Sequence, residues 1–361
     1  MEPIVKKYLI SGIGPGNSGG VARLMKVLVQ SYERDGFKLI YNRDKVSVRR
    51  LYLSGKYIAI IKELIYRIFD NFFFFFKCFR IKNSNIVILH PQTVGYKLFF
   101  KLIRFNSVSV YVMDCSFFCI RSYNTHPIFN MECLDCIKNI NPHTRCMPFP
   151  IQINKQKNIE YLKILSKVSK KIHFLAQNDK QKELLLMHFG DKTKISVIGM
   201  DTKEVSEHVD ETNNVHFPRV YNVVFHGVPH VAKGLLYLIR LAERLPKYSF
   251  LIPSPYLEVL KQANMHKLPV NIDCIDLNWD TGLKGYIRSA DLVINPSLWS
   301  APIEGALVKS AAYNKAVATV QSEYGFEAEI KSIKNHLRLS PNIEVAVKQL
   351  DDFLSIPKLI Q

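Results

Sequence analysis

The sequence predicts an α/β protein built as two doubly wound domains with parallel sheets. Three observations lead there. The chain has 361 residues, enough for two domains that each bury a core of their own. Short apolar runs of strand length alternate with amphipathic segments of helix length, the order that crossover helices on a parallel sheet require. Near the middle, at 202–219 (TKEVSEHVDETNNVHFPR), the texture turns polar with no apolar period and reads as a linker. An apolar content of 48% excludes a disordered chain.

In the first half the apolar runs at 7–11, 37–42, 85–89, 108–112, 171–176 and 195–198 read as strands. Helical spacing covers 21–35, 57–79, 94–104, 159–169 and 179–189, the last with Asp179 as its N-cap. In the second half, 222–225, 248–252, 270–275 and 291–295 read as strands. Helices are expected at 234–245, 255–263 and 283–289, and another opens near Pro302. The tail 342–354 is amphipathic, with Ile343, Val347, Leu350 and Leu354 on one stripe. The expected division is a first domain over 1–205 with a cysteine-rich insertion at 115–146, a second over 206–340, and a C-terminal helix over 341–361.

The net charge of +18 is unevenly placed. Residues 1–170 hold 27 Lys and Arg against 10 Asp and Glu, whereas residues 171–361 hold 22 against 21. Such asymmetry points to an anionic partner of the first half. No RNA- or DNA-binding module is recognisable there, so the reading favours an anionic membrane surface over nucleic acid. Five consecutive phenylalanines, 72–76, lie beside Arg67, Lys77, Arg80 and Lys82. Five adjacent side chains cannot all face inward on a helix, and cations around exposed aromatics suit a helix lying on a bilayer. The alternative is a helix crossing beneath the sheet. The apolar region 57–79 is interrupted by Lys62, Glu63, Arg67 and Asp70 and falls short of a membrane span. The opening residues 1–8 are charged and run into a strand, so no leader is expected and the protein is read as cytoplasmic.

Seven cysteines without an export signal argue against disulfides. Five fall between 115 and 146, and Cys133 and Cys136 have metal-ligand spacing. With Cys119 and Cys146 they form a candidate four-thiolate structural zinc site, though the spacing matches no standard ribbon or finger. The alternative is a set of reduced thiols packed as small hydrophobes.

Four segments carry candidate chemistry. In LISGIGPGNSGGVARL, glycines 12, 14, 16, 19 and 20 separate a strand from a helix, so backbone N–H groups can approach an anionic ligand. Gly14, Gly16 and Gly19 satisfy G-x-G-x-x-G, but the acidic residue a dinucleotide reading needs arrives late, as Asp44. In NVVFHGVPHVAKGLL, a strand and the Gly227 turn deliver Lys233 and Gly234 to a helix start, where dipole and ammonium can act on one diphosphate. In SADLVINPSLWSAPIEGALVKSAAYNKAVAT, a strand passes through Pro296 and Ser297 into a helix opening, with Glu304 the only nearby carboxylate. In VSVYVMDCSFF, a strand delivers Asp114 to the carboxyl edge of its sheet.

The wording and order of these segments, from Gly12 to Thr319, resemble the retaining glycosyltransferases of the GT-B fold, in particular the large "group 1" type. Ala290, Asp291, Pro296, Ser297, Lys315, Val317 and Thr319 stand where the donor-sugar signature places them. Gly227, Lys233 and Gly234 match the family's diphosphate-gripping "GR…KG", with Val228 in place of the arginine. The two glutamates expected eight residues apart fall at Ala301 and Lys309, neither acidic. Met113 stands where relatives often have histidine before Asp114.

The resemblance implies two Rossmann-like domains facing a cleft, with the C-terminal helix packing back toward the N-terminal domain. It implies a nucleotide-diphosphate sugar as donor substrate, no cofactor for catalysis and a glycan or lipid-linked glycan as acceptor, in polysaccharide biosynthesis such as lipopolysaccharide or capsule. Peripheral attachment to the inner face of the plasma membrane would then bring enzyme and acceptor together. On this reading Lys233, Glu304 and Asp114 are catalytic, and Gly16, Gly19, Gly20, Gly227, His230, Ser297, Trp299 and Lys309 join Lys233 and Glu304 around the donor. Two rivals remain, an NAD(P)-dependent oxidoreductase resting on G-x-G-x-x-G and a non-catalytic GT-B scaffold resting on Val228, Ala301 and Lys309.

Overall fold

The computed structural model describes residues 5–16, 20–149, 153–199, 219–330 and 333–356. The linker expected at 202–219 lies outside these but for Arg219, and so does Gly19. The chain divides into two compact units, and each carries one parallel six-stranded sheet.

The first unit runs through Ser122 and takes in Cys136–Pro142 and Cys146–Gly199. Its strands are β1 (Lys7–Ser11), β2 (Lys38–Tyr41), β3 (Asn85–Leu89), β4 (Ser107–Tyr111), β5 (Ile172–Ala176) and β6 (Lys194–Val197), in the order β2-β1-β3-β4-β5-β6. The central strands are apolar on both faces, as a sheet covered by helices on each side demands. Those helices are α1 (Gly20–Arg34), α2 (Val48–Leu53), α3 (Tyr57–Phe79), α4 (Pro91–Val94), α5 (Tyr96–Phe105), α6 (Lys155–Val168) and α7 (Asp179–Phe189). The cap of α7 is Asn178 rather than Asp179: the Asn178 side chain accepts from the Gln181 N–H at 2.9 Å.

In the second unit β7 (Val223–Phe225), β8 (Phe250–Ile252), β9 (Ile272–Cys274), β10 (Leu292–Asn295), β11 (Ala316–Val320) and β12 (Asn335–Leu339) lie in the order β12-β11-β10-β7-β8-β9. Helices α8 (Leu235–Arg244), α9 (Tyr256–Ala263), α10 (Lys284–Ser289), α11 (Gly305–Tyr313) and α12 (Ile343–Ser355) accompany it. Counted within the unit this is the 3-2-1-4-5-6 order of a dinucleotide-binding sheet, with its switch point between β7 and β10. Strand β12 escapes the sequence pattern because it is a half-exposed edge reading NHLRL.

The C-terminal helix α12 is anchored in the second unit's core, where Ala346 and Leu350 are fully buried. The Tyr248 hydroxyl donates to Asp351 at 2.7 Å and fixes the same face. The cysteine-rich stretch does not stay whole in the first domain, because Tyr123–Asp135 and His143–Arg145 fold with the second unit. Their anchor is Glu132, whose carboxylate accepts from the Ser300 and Ser322 hydroxyls and from the Glu323 and Tyr324 N–H groups. Asn124, fully buried, exchanges hydrogen bonds with Ser300 at 2.8 and 2.9 Å. Cys133 therefore goes with one unit and Cys119, Cys136 and Cys146 with the other. Among the described residues no group of three or more His, Cys, Asp or Glu side chains is placed to hold a metal ion.

Candidate functional site at the switch point of the second sheet

At a switch point, adjacent crossovers run to opposite faces of the sheet and leave a crevice at the strands' carboxyl ends. Here β7 and β10 open it. Their ends are pinned together: the His226 N–H donates to Ile294 O at 3.0 Å and Asn295 Nδ2 donates to His226 O at 2.6 Å. From β7 the chain runs through Gly227 to His230, whose Nδ1 accepts from the Ala232 N–H and caps a single tight turn, Val231–Lys233. Gly234 then adopts the left-handed conformation (φ 82°, ψ 20°) and leads into α8. A Cβ on Gly234 would stand 2.0 Å from Pro296 O, so only glycine allows this close approach. Leu298 N–H closes the contact by donating to Ala232 O at 2.9 Å.

This clamp sets Lys233 beside the β10 turn. Its ammonium forms an ion pair with Glu304, and the Ser297 hydroxyl donates to the same carboxylate oxygen at 2.8 Å. Both side chains are largely screened from water, 23% and 12% exposed. Helix α11 opens at Gly305, three residues after the expected Pro302, with Glu304 at its N-cap position. That side chain makes no capping bond and reaches Lys233 instead. The rings of Trp299 and Tyr123 lie 4.9 and 5.9 Å from the ammonium and favour its charge through their π faces. Trp299 Nε1 and Asn295 Oδ1 are buried polar atoms with no hydrogen-bond partner among the described residues, a donor and an acceptor at the same end of the sheet.

Deeper in the crevice, His226 stacks on Trp279 with ring centroids 5.8 Å apart, and Lys309 lies over the same indole at 4.4 Å. The Ser310 hydroxyl donates to Ala306 O, so the 2.9 Å contact between His226 Nδ1 and Ser310 Oγ is a donation from the imidazole. Burial, seconded by Lys309, pushes the His226 pKa down to about 3. His188 in the first unit is pushed down by burial to about 4. Its Nδ1 accepts from the Lys138 N–H, which a proton would displace.

Both values lie below the unfolded value near 6.5, so the unfolded chain takes up protons that the fold refuses. This stability is complete above pH 6.5 and is lost as pH falls toward 4 and 3. Each histidine contributes a slope of about 1.4 kcal/mol per pH unit inside that window. Urea unfolding of the wild type and of His226→Asn at pH 7 and pH 5 should show the variant losing less stability on acidification. Equal losses would refute the argument.

Thus the structure brings Lys233, Ser297, Trp299 and Glu304 together with His230 in the adjoining turn, and sets Lys309 against Trp279 and His226. Gly227 lies in the turn, but a Cβ there would make only ordinary contact with the Phe225 ring at 3.4 Å. The other expected residues belong to the first unit. Gly20 opens α1, and the Gly16 N–H is bonded by Asp44 Oδ1 at 3.0 Å, so a carboxylate lies where an anion was expected. Asp114 is buried, accepts from the Ser116 N–H at 2.9 Å and faces His90 Nε2 at 3.3 Å. Sequence reasoning missed His90, Tyr123 and Trp279. A histidine directly after an apolar strand and before Pro91 was the available sign for the first.

The two parallel six-stranded sheets with their flanking helices are those of a GT-B fold. Among solved structures, the chain is similar to sucrose-phosphate synthase from Thermosynechococcus elongatus at 11% identity, covering 97% of this chain and 90% of that one, with a TM-score of 0.59. It is similar to the UDP-forming α,α-trehalose-phosphate synthase from Burkholderia vietnamiensis at 11% identity, with 99% and 91% covered and a TM-score of 0.57. It is also similar to Anabaena HepE, solved in complex with UDP and glucose, at 12% identity, with 97% and 90% covered and a TM-score of 0.53. At these identities the likeness establishes the fold. No protein-family model and no curated protein matches the sequence.

Proposed function

We propose that the chain is a retaining glycosyltransferase that moves a sugar from a nucleotide-diphosphate sugar to a glycan or lipid-linked acceptor in polysaccharide biosynthesis. It would work in the cytoplasm, at the anionic inner face of a membrane. The observation that carries the donor half is the convergence of Lys233, Ser297 and Glu304 at the β7–β10 switch point. Lys233 and the N-terminus of α11 offer positive charge to a leaving diphosphate, which departs more easily as its charge is offset. Glu304 offers an acceptor to sugar hydroxyls, and Trp299 Nε1 and Asn295 Oδ1 offer one further donor and acceptor. The complex of HepE with UDP and glucose supports the choice of donor class. Asp114, beside His90 in the first unit, is the residue we assign to the acceptor side.

The test is thermal unfolding with UDP, GDP, ADP, CMP, NAD and NADP in turn. A nucleoside diphosphate at about 100 times its dissociation constant should stabilise the protein by roughly 2.7 kcal/mol. A response to NAD or NADP alone would favour the oxidoreductase, and silence throughout would favour the scaffold.

A further inference from the structure

Helix α3 is turned inside out. An ordinary surface helix directs its apolar stripe at the core and its charges at water. Along α3 the charged positions Glu63, Arg67 and Asp70, spaced i, i+4 and i+7, face the protein. Glu63, only 4% exposed, is bonded by Arg43 at 2.7 Å, by Arg67 at 2.9 Å and by the Val46 N–H at 3.2 Å. Asp70 is held by the other side of the Arg43 guanidinium. Of the helix's 23 residues only Glu63, Phe74 and Cys78 are buried.

The outward face is the apolar one. Thirteen of the 23 residues are large apolar side chains more than a third exposed, with Ile58 at 73% and Ile68 at 69%. At about 100° per residue, Ile58, Ile61, Ile65, Ile68, Phe72 and Phe76 fall within a stripe roughly 120° wide that holds no charge. Tyr52 of α2 continues it, its ring 6.0 Å from that of Tyr57. Cations edge the far end: Arg80 lies over Phe76 at 5.9 Å, Lys101 over Phe79, and Lys82 and Arg104 over Phe105 at 5.4 Å. Both carboxylates of the helix are turned inward and neutralised, so the exposed rim of the stripe is positive.

We propose that α3 lies in the plane of an anionic bilayer, with Ile65, Phe72 and Phe76 among the acyl chains and Lys77, Arg80, Lys82 and Lys101 on lipid phosphates. A continuous exposed apolar surface of this length marks an interaction site. No described helix is long and apolar enough to cross a membrane, which fits a helix seated in the interface. The charge selects the occupant. A second copy would bring one positive rim against another, whereas phosphate headgroups complement it. This deepens the membrane part of the proposed function and depends on nothing at the donor site.

The experiment is co-sedimentation of the full chain with vesicles of phosphatidylcholine alone, or with about one-third phosphatidylglycerol, at low and high salt. The wild type should bind the anionic vesicles and weaken as salt rises. The variant Ile65→Ser/Phe72→Ser/Phe76→Ser, which touches only exposed positions, should keep its circular dichroism and lose vesicle affinity by roughly a hundredfold. The variant Lys77→Gln/Arg80→Gln/Lys101→Gln should lose chiefly the preference for anionic lipid. Unchanged vesicle binding by the serine variant would overturn the proposal. So would a wild type that ignores vesicles but sediments as a dimer dissolved by the serine substitutions. Stabilisation by a nucleoside diphosphate, measured on the same samples, reports separately on the donor-site reading.

Discussion

Gly234→Ala should lower the stability of the protein by about 3 kcal/mol or more, roughly 6–12 °C in melting temperature for a domain of this size. Two independent costs add. A residue with a side chain in the left-handed region costs about 1–2 kcal/mol. The new methyl would also lie 2.0 Å from Pro296 O, a backbone atom that can retreat only by dragging the end of β10 with it. The control is Gly227→Ala in the same turn, where the nearest atom is a ring carbon at 3.4 Å and no positive φ is demanded, so little should change. Differential scanning calorimetry of the three proteins decides the matter. Equal melting temperatures would mean that the clamp between the two turns is not what holds them.

The second large effect falls on Lys233. Lys233→Ala should weaken binding of a nucleoside diphosphate by about 1.5–3 kcal/mol, roughly 10- to 150-fold, the usual worth of a hydrogen bond to a charged group. Turnover, if the proposed reaction holds, should fall by about 10²–10³. The substitution also strands a largely buried carboxylate, because among the described residues Glu304 then keeps only the Ser297 hydroxyl. The double variant Lys233→Ala/Glu304→Gln separates the two consequences. It should recover the lost melting temperature and none of the lost affinity. Recovery of both in calorimetric titrations would reduce Lys233 to a structural partner of Glu304.

How much of this could be read beforehand depends on the distance between the partners involved. Strands β7 and β10 announce themselves because every residue in them is buried and all but the terminal Asn295 are apolar. The positions of Lys233, Ser297 and Glu304 just beyond strand ends could be read from local pattern and from the family resemblance, whereas their shared ion pair and hydrogen bond could not. Glu132 was not, since its partners lie 168 to 192 positions further on and nothing local distinguishes it from any surface glutamate. The same holds for α3. Its periodicity predicts a helix, but the inward turn of its polar stripe depends on partners elsewhere in the chain, Arg43 and the Val46 N–H, 20 and 17 residues before Glu63. Asn178 displaced Asp179 as a cap by a single position, a difference fixed by backbone dihedrals rather than composition.

The route of the chain through Asn124 and Glu132 also bears on how the protein is made. A ribosome adding about 5–20 residues per second emits Asn124 roughly 10–35 s before Ser300, its hydrogen-bonding partner 176 positions later. Strands β1 to β4 precede that segment, so much of the first sheet's sequence has emerged while the segment's destination is still unsynthesised. The four donors that Glu132 meets among the described residues, on Ser300, Ser322, Glu323 and Tyr324, are all translated after it. A contact of such high sequence separation forms late and slowly. The second unit therefore includes a piece of chain that is translated before any of its strands.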